Sequence, residues 1–377
     1  MRLLLAGLAL AAAGCAQSLV DPARLSERLR SMEARPGERR IECTVTPIRP
    51  ALNYSLRIQA GYRVRVPMGQ YFGPGHGWVQ LVRITPEGDK GRPVYLGYRI
   101  RLPDVPRTSA DVELGGGYLL GEGSYDVRWA MFDDQERVCR AQWRVEARLT
   151  RGERRTWQAM PANTVAPFSL GGRTHTAAAE ADAPAGRRIT VLLHAAPMSP
   201  RRTHFRATDR MLLLSSLAAL MEQLPQARVR VVAFNLDQQK EILRAEDFQP
   251  EMLERVEKAM DGLELDLTDV ATLQHPEGHL ELLASLVNGE LRASPAPDAV
   301  LFFGPRTRFD DKPPRFSMPE AGTLPRFFAL EFRPAFRAVT ASLPDAISNT
   351  VSSLKGKVIV IHSPADFARA IAQLQRK

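Results

Sequence analysis

The apolar run Ile189-Thr-Val-Leu-Leu193 leads directly into His194-Ala-Ala-Pro-Met-Ser199, with His204 five residues further on. The run reads as a buried strand, and open α/β sheets bind their ligands just beyond the carboxyl ends of such strands. The chemistry available there is an imidazole and a hydroxyl. A serine nucleophile on a strand-to-helix elbow needs the glycines of G-x-S-x-G around it. Ser199 instead lies between Met198 and Pro200. His194 therefore reads as a hydrogen-bonded structural residue rather than a general base.

His275-Pro-Glu277-Gly-His279 is the second constellation. Two imidazoles with a carboxylate between them suit a transition metal. The helical zinc signature, however, places Glu beside the first His and runs one helix through both. Pro276 and Gly278 interrupt that geometry, so the segment reads as a polar loop opening a helix. The chain has no G-x-G-x-x-G and no G-K-[ST] phosphate loop. No catalytic residue, metal ligand or cofactor is assigned. An exported hydrolase or metalloenzyme using His194, His275 and His279 is the alternative.

Three cysteines remain to be placed: Cys15, Cys43 and Cys139. Residues 1–16 read as an export signal, with Arg2 as the positive region, Leu3 to Ala13 as the apolar core and small residues after it. The apolar run is too short to span a bilayer. Ala12-Ala13-Gly14-Cys15 fits a lipobox that would acylate Cys15, and cleavage after Ala16 fits equally. Either route places the protein outside the cytoplasm: periplasmic, envelope-attached or secreted. Cys43 and Cys139 are then an even pair in an oxidising compartment, which predicts a disulfide over two buried thiols.

The elements that position these residues follow from periodicity. Of 377 residues, 44% are apolar and 25% charged, a folded composition long enough for two domains. Net charge is +9, but no compact Lys/Arg cluster is interleaved with aromatics, which excludes nucleic acid as a partner. Residues 17–40 read as a helical segment with Leu25, Leu29 and Met32 on one face. Residues 41–149 alternate with period two, as in Tyr62, Val64 and Val66 against Arg63 and Arg65, with Gly/Pro turns between runs. That pattern predicts an antiparallel sandwich. Residues 150–187 read as a linker. Residues 188–377 alternate strand and helix, the signature of a doubly wound α/β sheet.

Two resemblances sharpen these readings. Gly121-Glu-Gly-Ser-Tyr125-Asp-Val127-Arg-Trp129 resembles the penultimate strand of an immunoglobulin-like domain, with Tyr125 as a tyrosine corner. That arrangement implies that Cys43 and Cys139 lie on neighbouring first and last strands. Residues 187–377 resemble a von Willebrand factor A domain of a secreted bacterial protein. The likeness rests on an apparent hairpin at the second and third strands, then two helices before the fourth. Members of that family hold a divalent cation through D-x-S-x-S, a Thr and an Asp. Laid on this chain, the Asp position falls on His194 and the Ser positions on Ala196 and Met198. Thr268 matches the Thr, and Phe303-Gly304-Pro305 lacks the Asp. Hard cations need those oxygens, so the resemblance implies a degenerate, metal-independent contact surface.

The fold class expected is thus an α/β doubly wound, von Willebrand A-like C-terminal domain behind an all-β, immunoglobulin-like sandwich. The function expected is extracytoplasmic protein binding or scaffolding by His194, Ser199, Arg201, Arg202, Thr268, Arg306 and Arg308. Their positive charge points to an acidic protein surface as partner. The membrane enters only through a lipid on Cys15. A structural envelope component is a further alternative.

Overall fold

The computed structural model describes residues 17–88, 92–150, 153, 160–168, 186–199, 202–224, 226–263, 272, 274–318, 324–334 and 344–375. The export signal, Cys15, Arg201 and Thr268 lie outside them. The chain divides into two compact units.

In the first unit the strands are β1 (Ser18–Leu19), β2 (Thr44–Leu52), β3 (Ile58–Pro67), β4 (Gly77–Pro86), β5 (Val94–Arg101), β6 (Asp111–Leu120), β7 (Gly123–Asp133), β8 (Val138–Ala147) and β9 (Val165–Pro167). They form a five-stranded sheet, β1-β5-β4-β7-β8, and a four-stranded sheet, β2-β3-β6-β9. Every pairing is antiparallel. Alternation does what the sequence implies in β3, where Tyr62, Val64 and Val66 are buried while Arg63 and Arg65 face water. The core closes around Trp78, Trp129, Tyr118 and Tyr125.

Strand β4 departs from clean alternation because both faces of its sheet are covered. Gln80, Leu81 and Val82 are all buried in succession. The outer face is sealed by the segment carrying α1 (Glu27–Ser31), whose Leu25, Leu29 and Met32 pack on Leu81, Tyr95, Ala130 and Val138. The stretch read as a linker also contributes: β9 pairs with β6, and the Tyr125 hydroxyl sits 2.8 Å from Gly121 O and 3.1 Å from Thr164 O.

Cys43 and Cys139 form a disulfide with Cα atoms 6.3 Å apart, within the usual span. Cys43 immediately precedes β2 and Cys139 lies on β8, so the bond joins one sheet to the other.

The second unit holds β10 (Arg188–His194), α2 (Ala207–Gln223), β11 (Arg228–Asn235), β12 (Lys240–Ala245), α3 (Leu253–Asp261), α4 (Gly278–Leu291), β13 (Ala299–Pro305), β14 (Arg326–Phe332), α5 (Ala346–Ser353), β15 (Lys357–Ile361) and α6 (Pro364–Gln375). Its sheet runs β12-β11-β10-β13-β14-β15, with β12 alone antiparallel. Leu283, Val287 and Leu291 of α4 and Ile347 and Val351 of α5 cover one face, over Leu192, Val232 and Phe302. On the other face Phe367 of α6 meets Phe303 and Phe332. Helix α4 continues through Asn288-Gly289 and ends at Leu291.

The fold class expected from the sequence is corrected. Strand outweighs helix among the described residues, in three sheets, and a doubly wound von Willebrand A-like class does not fit the molecule. A doubly wound sheet covers its crossovers with helices. The described part of the β13–β14 connection, Arg306–Met318, has none. Pro313-Pro314 removes backbone donors and disfavours the helical region before each ring. Apolar runs announce buried parallel strands, but they do not reveal what covers them.

Candidate functional site

The carboxyl ends of β10, β11, β13 and β14 bring together His194, Asn235, Pro305 and Glu331. His194 is only 1% exposed. Its Nδ1 lies 3.1 Å from Pro305 O. A carbonyl only accepts, so Nδ1 carries the proton and Nε2 is a bare acceptor. Burial pushes the imidazole pKa down, against the opposing effects of the Pro305 hydrogen bond and the charges of Asp237 and Asp345. The ring is thus a neutral imidazole at pH 7, stacked on Phe234 at 5.3 Å. Among the described residues Nε2 has no hydrogen-bond partner.

A cavity of about 10 Å³ lies here, lined by His194, Glu331, Asp345 and Ser348 with apolar neighbours. That is room for about one water-sized probe. Asp345, 2% exposed, is the N-cap of α5. One carboxylate oxygen accepts from Ser348 N and the other from Thr307 N, both at 2.8 Å. Asp345 thereby ties the segment after β13 to the start of α5. Glu331 is paired with Arg333 and accepts from Ser348 Oγ at 3.4 Å. Gly304 has φ of +155°, and a Cβ there would meet His194 O at 2.6 Å. The close approach of β13 to the end of β10 therefore requires glycine.

Around this sealed centre the loops are held by polar contacts. Asn235, fully buried, donates from Nδ2 to Ala195 O at 2.7 Å and accepts from Gln238 N at 2.8 Å. Arg308 pairs with Asp237 at 2.5 Å and lies over the Phe309 ring. His279 stacks on Phe309 with ring centroids 3.9 Å apart, and its Nε2 is 2.8 Å from an Asp311 carboxylate oxygen.

The residues singled out in the sequence thus meet different fates. His194 is central but sealed. Ser199 is half-buried, and its carbonyl accepts from Arg202 N at 3.0 Å. The Arg202 guanidinium is 3.9 Å from Asp209 in the first turn of α2. Arg306 and Arg308 lie on the described segment after β13. His275 is exposed and its carbonyl accepts from Gln239 Nε2, while His279 faces Asp311. Among the described residues no group of three His, Cys, Asp or Glu is arranged to hold a metal.

The sequence reading missed Glu331, Asp345, Asn235 and Asp237. Glu331 carried a usable signal: a carboxylate inside Phe327-Phe-Ala-Leu-Glu-Phe332 must be buried with partners or end the strand. Asp345, after Pro344 and ahead of Ala346-Ile347, carried an N-cap signal.

No protein-family model matches the chain. No curated protein matches it. Among solved structures, a superoxide reductase (neelaredoxin) from Ignicoccus hospitalis is similar at 17% identity, over 32% of this chain and 90% of that one, with a TM-score of 0.21. A neelaredoxin from Archaeoglobus fulgidus in the reduced form is similar at 18% identity, over 29% and 92%, with a TM-score of 0.20. A putative ApaA protein from Bordetella pertussis is similar at 16% identity, over 30% and 99%, also with 0.20. Likeness at this level carries no argument about activity.

Proposed function

We propose that the protein is an exported binding or scaffold component. It captures an acidic protein surface through the segment that follows β13, without a metal ion. The observation that supports this reading is the division of labour at the carboxyl edge. The groups with catalytic potential, His194, Glu331 and Asp345, are buried and engaged in holding the edge together. The segment beyond them carries Arg306, Arg308, Lys312 and Arg315 against Asp310 and Asp311, and Asp311 is already met by His279. Rim cations of this kind steer and select partners more than they add raw affinity. The bridge between Cys43 and Cys139 suits an oxidising compartment and supports export.

Affinity purification from the native envelope followed by mass spectrometry supplies the partner. Arg306→Glu is then expected to weaken capture at least tenfold, and raised salt should weaken wild-type capture in parallel. Arg308 needs a different design because Asp237 pairs with it. Arg308→Glu should lose capture partly through the loop, and Asp237→Lys in the same chain should restore the loop but not the binding. Capture unchanged by Arg306→Glu and by salt would remove this surface from consideration.

A further inference from the structure

The first unit holds a histidine whose two ring nitrogens both face acceptors. His76 immediately precedes β4, and its side chain is 12% exposed. Its Nε2 lies 3.0 Å from the Phe72 carbonyl oxygen, four residues back in the same loop. Its Nδ1 lies 3.1 and 3.4 Å from the two oxygens of Asp134, in the turn between β7 and β8. A carbonyl and an ionised carboxylate accept and do not donate. Only the imidazolium, with a proton on each nitrogen, satisfies both at once. A neutral ring keeps one bond and turns a lone pair toward the other acceptor.

Charges reach the ring from three directions. The β7–β8 turn brings Asp134, which also accepts from Gly77 N at 3.2 Å. Burial pushes the Asp134 carboxyl up, but the bonds from His76 and Gly77 N outweigh it and hold the group below the usual carboxylate range. The loop itself brings Tyr71, edge-on to the imidazole at 5.3 Å. The Tyr71 hydroxyl accepts from Trp78 Nε1 at 2.9 Å and donates to Asp133 at 3.2 Å. Just before β8 stands Arg137, paired with Asp133 and lying over the Tyr71 ring. Arg107 lies over the ring of Phe72. The Phe72 hydrogen bond raises the imidazole pKa, burial opposes it, Asp134 adds to it and Arg137 subtracts; the net direction is up.

We propose that His76 is a pH-sensitive latch at this end of the sandwich: charged, it straps the Phe72–His76 loop to the β7–β8 turn, and on losing its proton it lets the loop open. The loop has a fixed base and a free crest. At the base Gly73 N donates to Val105 O at 2.9 Å and Val105 N to Gly73 O at 3.1 Å. At the crest Gly73 and Gly75, with φ of +84° and +91°, bracket Pro74, and open space surrounds both glycines. Phe72 is 62% exposed, so the latch positions an aromatic ring presented to solvent. The sign follows from the raised value. The unfolded ring gives up its proton near pH 6.5 and the folded ring at higher pH. The latch therefore contributes fully below about pH 6.5 and is lost as pH rises through the folded value.

The test follows the full-length protein by nitrogen-15 resonance and amide hydrogen exchange between about pH 5.5 and about pH 8.5, with rates corrected for the intrinsic effect of pH. His76 is expected to carry protons on both nitrogens at the acid end and to titrate above 6.5. Through that titration the Gly77 amide, held by Asp134, should lose protection by about threefold or more, while the Gly73 and Val105 amides at the loop base stay unchanged. Asp134→Asn should bring the His76 titration back toward 6.5 and leave Gly77 exchange independent of pH. His76→Gln, which offers a donor to only one acceptor, should abolish the pH dependence as well. A His76 ring that titrates at 6.5 or below would overturn the latch. So would Gly77 protection that is equal on both sides of the titration, or that moves only together with Gly73 and Val105. The wild-type readings decide the matter even where a variant folds poorly.

Discussion

His194 shows what burial does to a side chain that the sequence places where reactive groups often sit. Its position after a buried strand suits a reactive group, yet burial keeps its imidazole neutral and Pro305 O orients it. The depressed pKa has a consequence with a definite sign. The unfolded ring takes up a proton near pH 6.5, while the folded ring resists to lower pH. Between those values the unfolded chain binds more protons, so His194 contributes stability that is present above about pH 6.5 and lost as pH falls below it. Nuclear magnetic resonance should show the His194 ring remaining neutral at pH 6, with its proton on Nδ1. His194→Gln should flatten the acid side of the stability profile of this unit. A ring that titrates at 6.5 or above would contradict the sealed arrangement. The oppositely perturbed His76, raised by its hydrogen bond to Phe72 O and by Asp134, lies in the other unit and must be resolved separately.

At the scale of elements, Asp345 joins what the chain order separates. It caps α5 and receives the Thr307 amide, so one carboxylate fastens the helix start to the exit of β13. Asp345→Ala removes an N-cap and leaves a buried backbone donor unmet, a loss of about 1–3 kcal/mol in urea unfolding. Gly304→Ala acts on the same junction from the strand side. Its Cβ would collide with His194 O in a backbone region that alanine rarely adopts, and about 2 kcal/mol or more should be lost. A neutral Gly304→Ala would show that β13 can retreat from β10. Fold reading failed at this scale in an instructive place. The parallel strands were visible as apolar runs, whereas what covers them was not, because such a run records burial and not the element that supplies it.

Across the whole molecule, the disulfide is the one covalent tie among the described residues, and it belongs to the first unit. It closes a loop of 96 residues between two sheets. Chain-entropy arguments assign such a loop about 4–5 kcal/mol, and removal of native disulfides commonly costs about 2–5 kcal/mol. Reduction, or Cys43→Ser with Cys139→Ser, is therefore expected to lower the denaturation midpoint of the sandwich. The hydrogen-exchange protection of β10 to β15 should be unaffected. An unchanged midpoint for the first unit would mean that the two-sided packing of β4, under Leu25, Leu29 and Met32, already holds the sheets together.

The amino-acid sequence alone determined what depends on local periodicity and composition. The alternation in β3, the buried runs of β10, β13 and β14 and the antiparallel return of β12 are each written within a few residues, and the even pair of cysteines is a matter of composition. Which residues meet was decided by the tertiary structure. Asp237 with Arg308, His279 with Asp311, Asp345 with Thr307, and Arg187 with the end of α6 are separated by tens of residues or more. Burial, which seals His194 as a neutral ring, is a property of everything packed around it. Periodicity records the face a side chain takes; only the closed fold sets the dielectric and the partner it finds there.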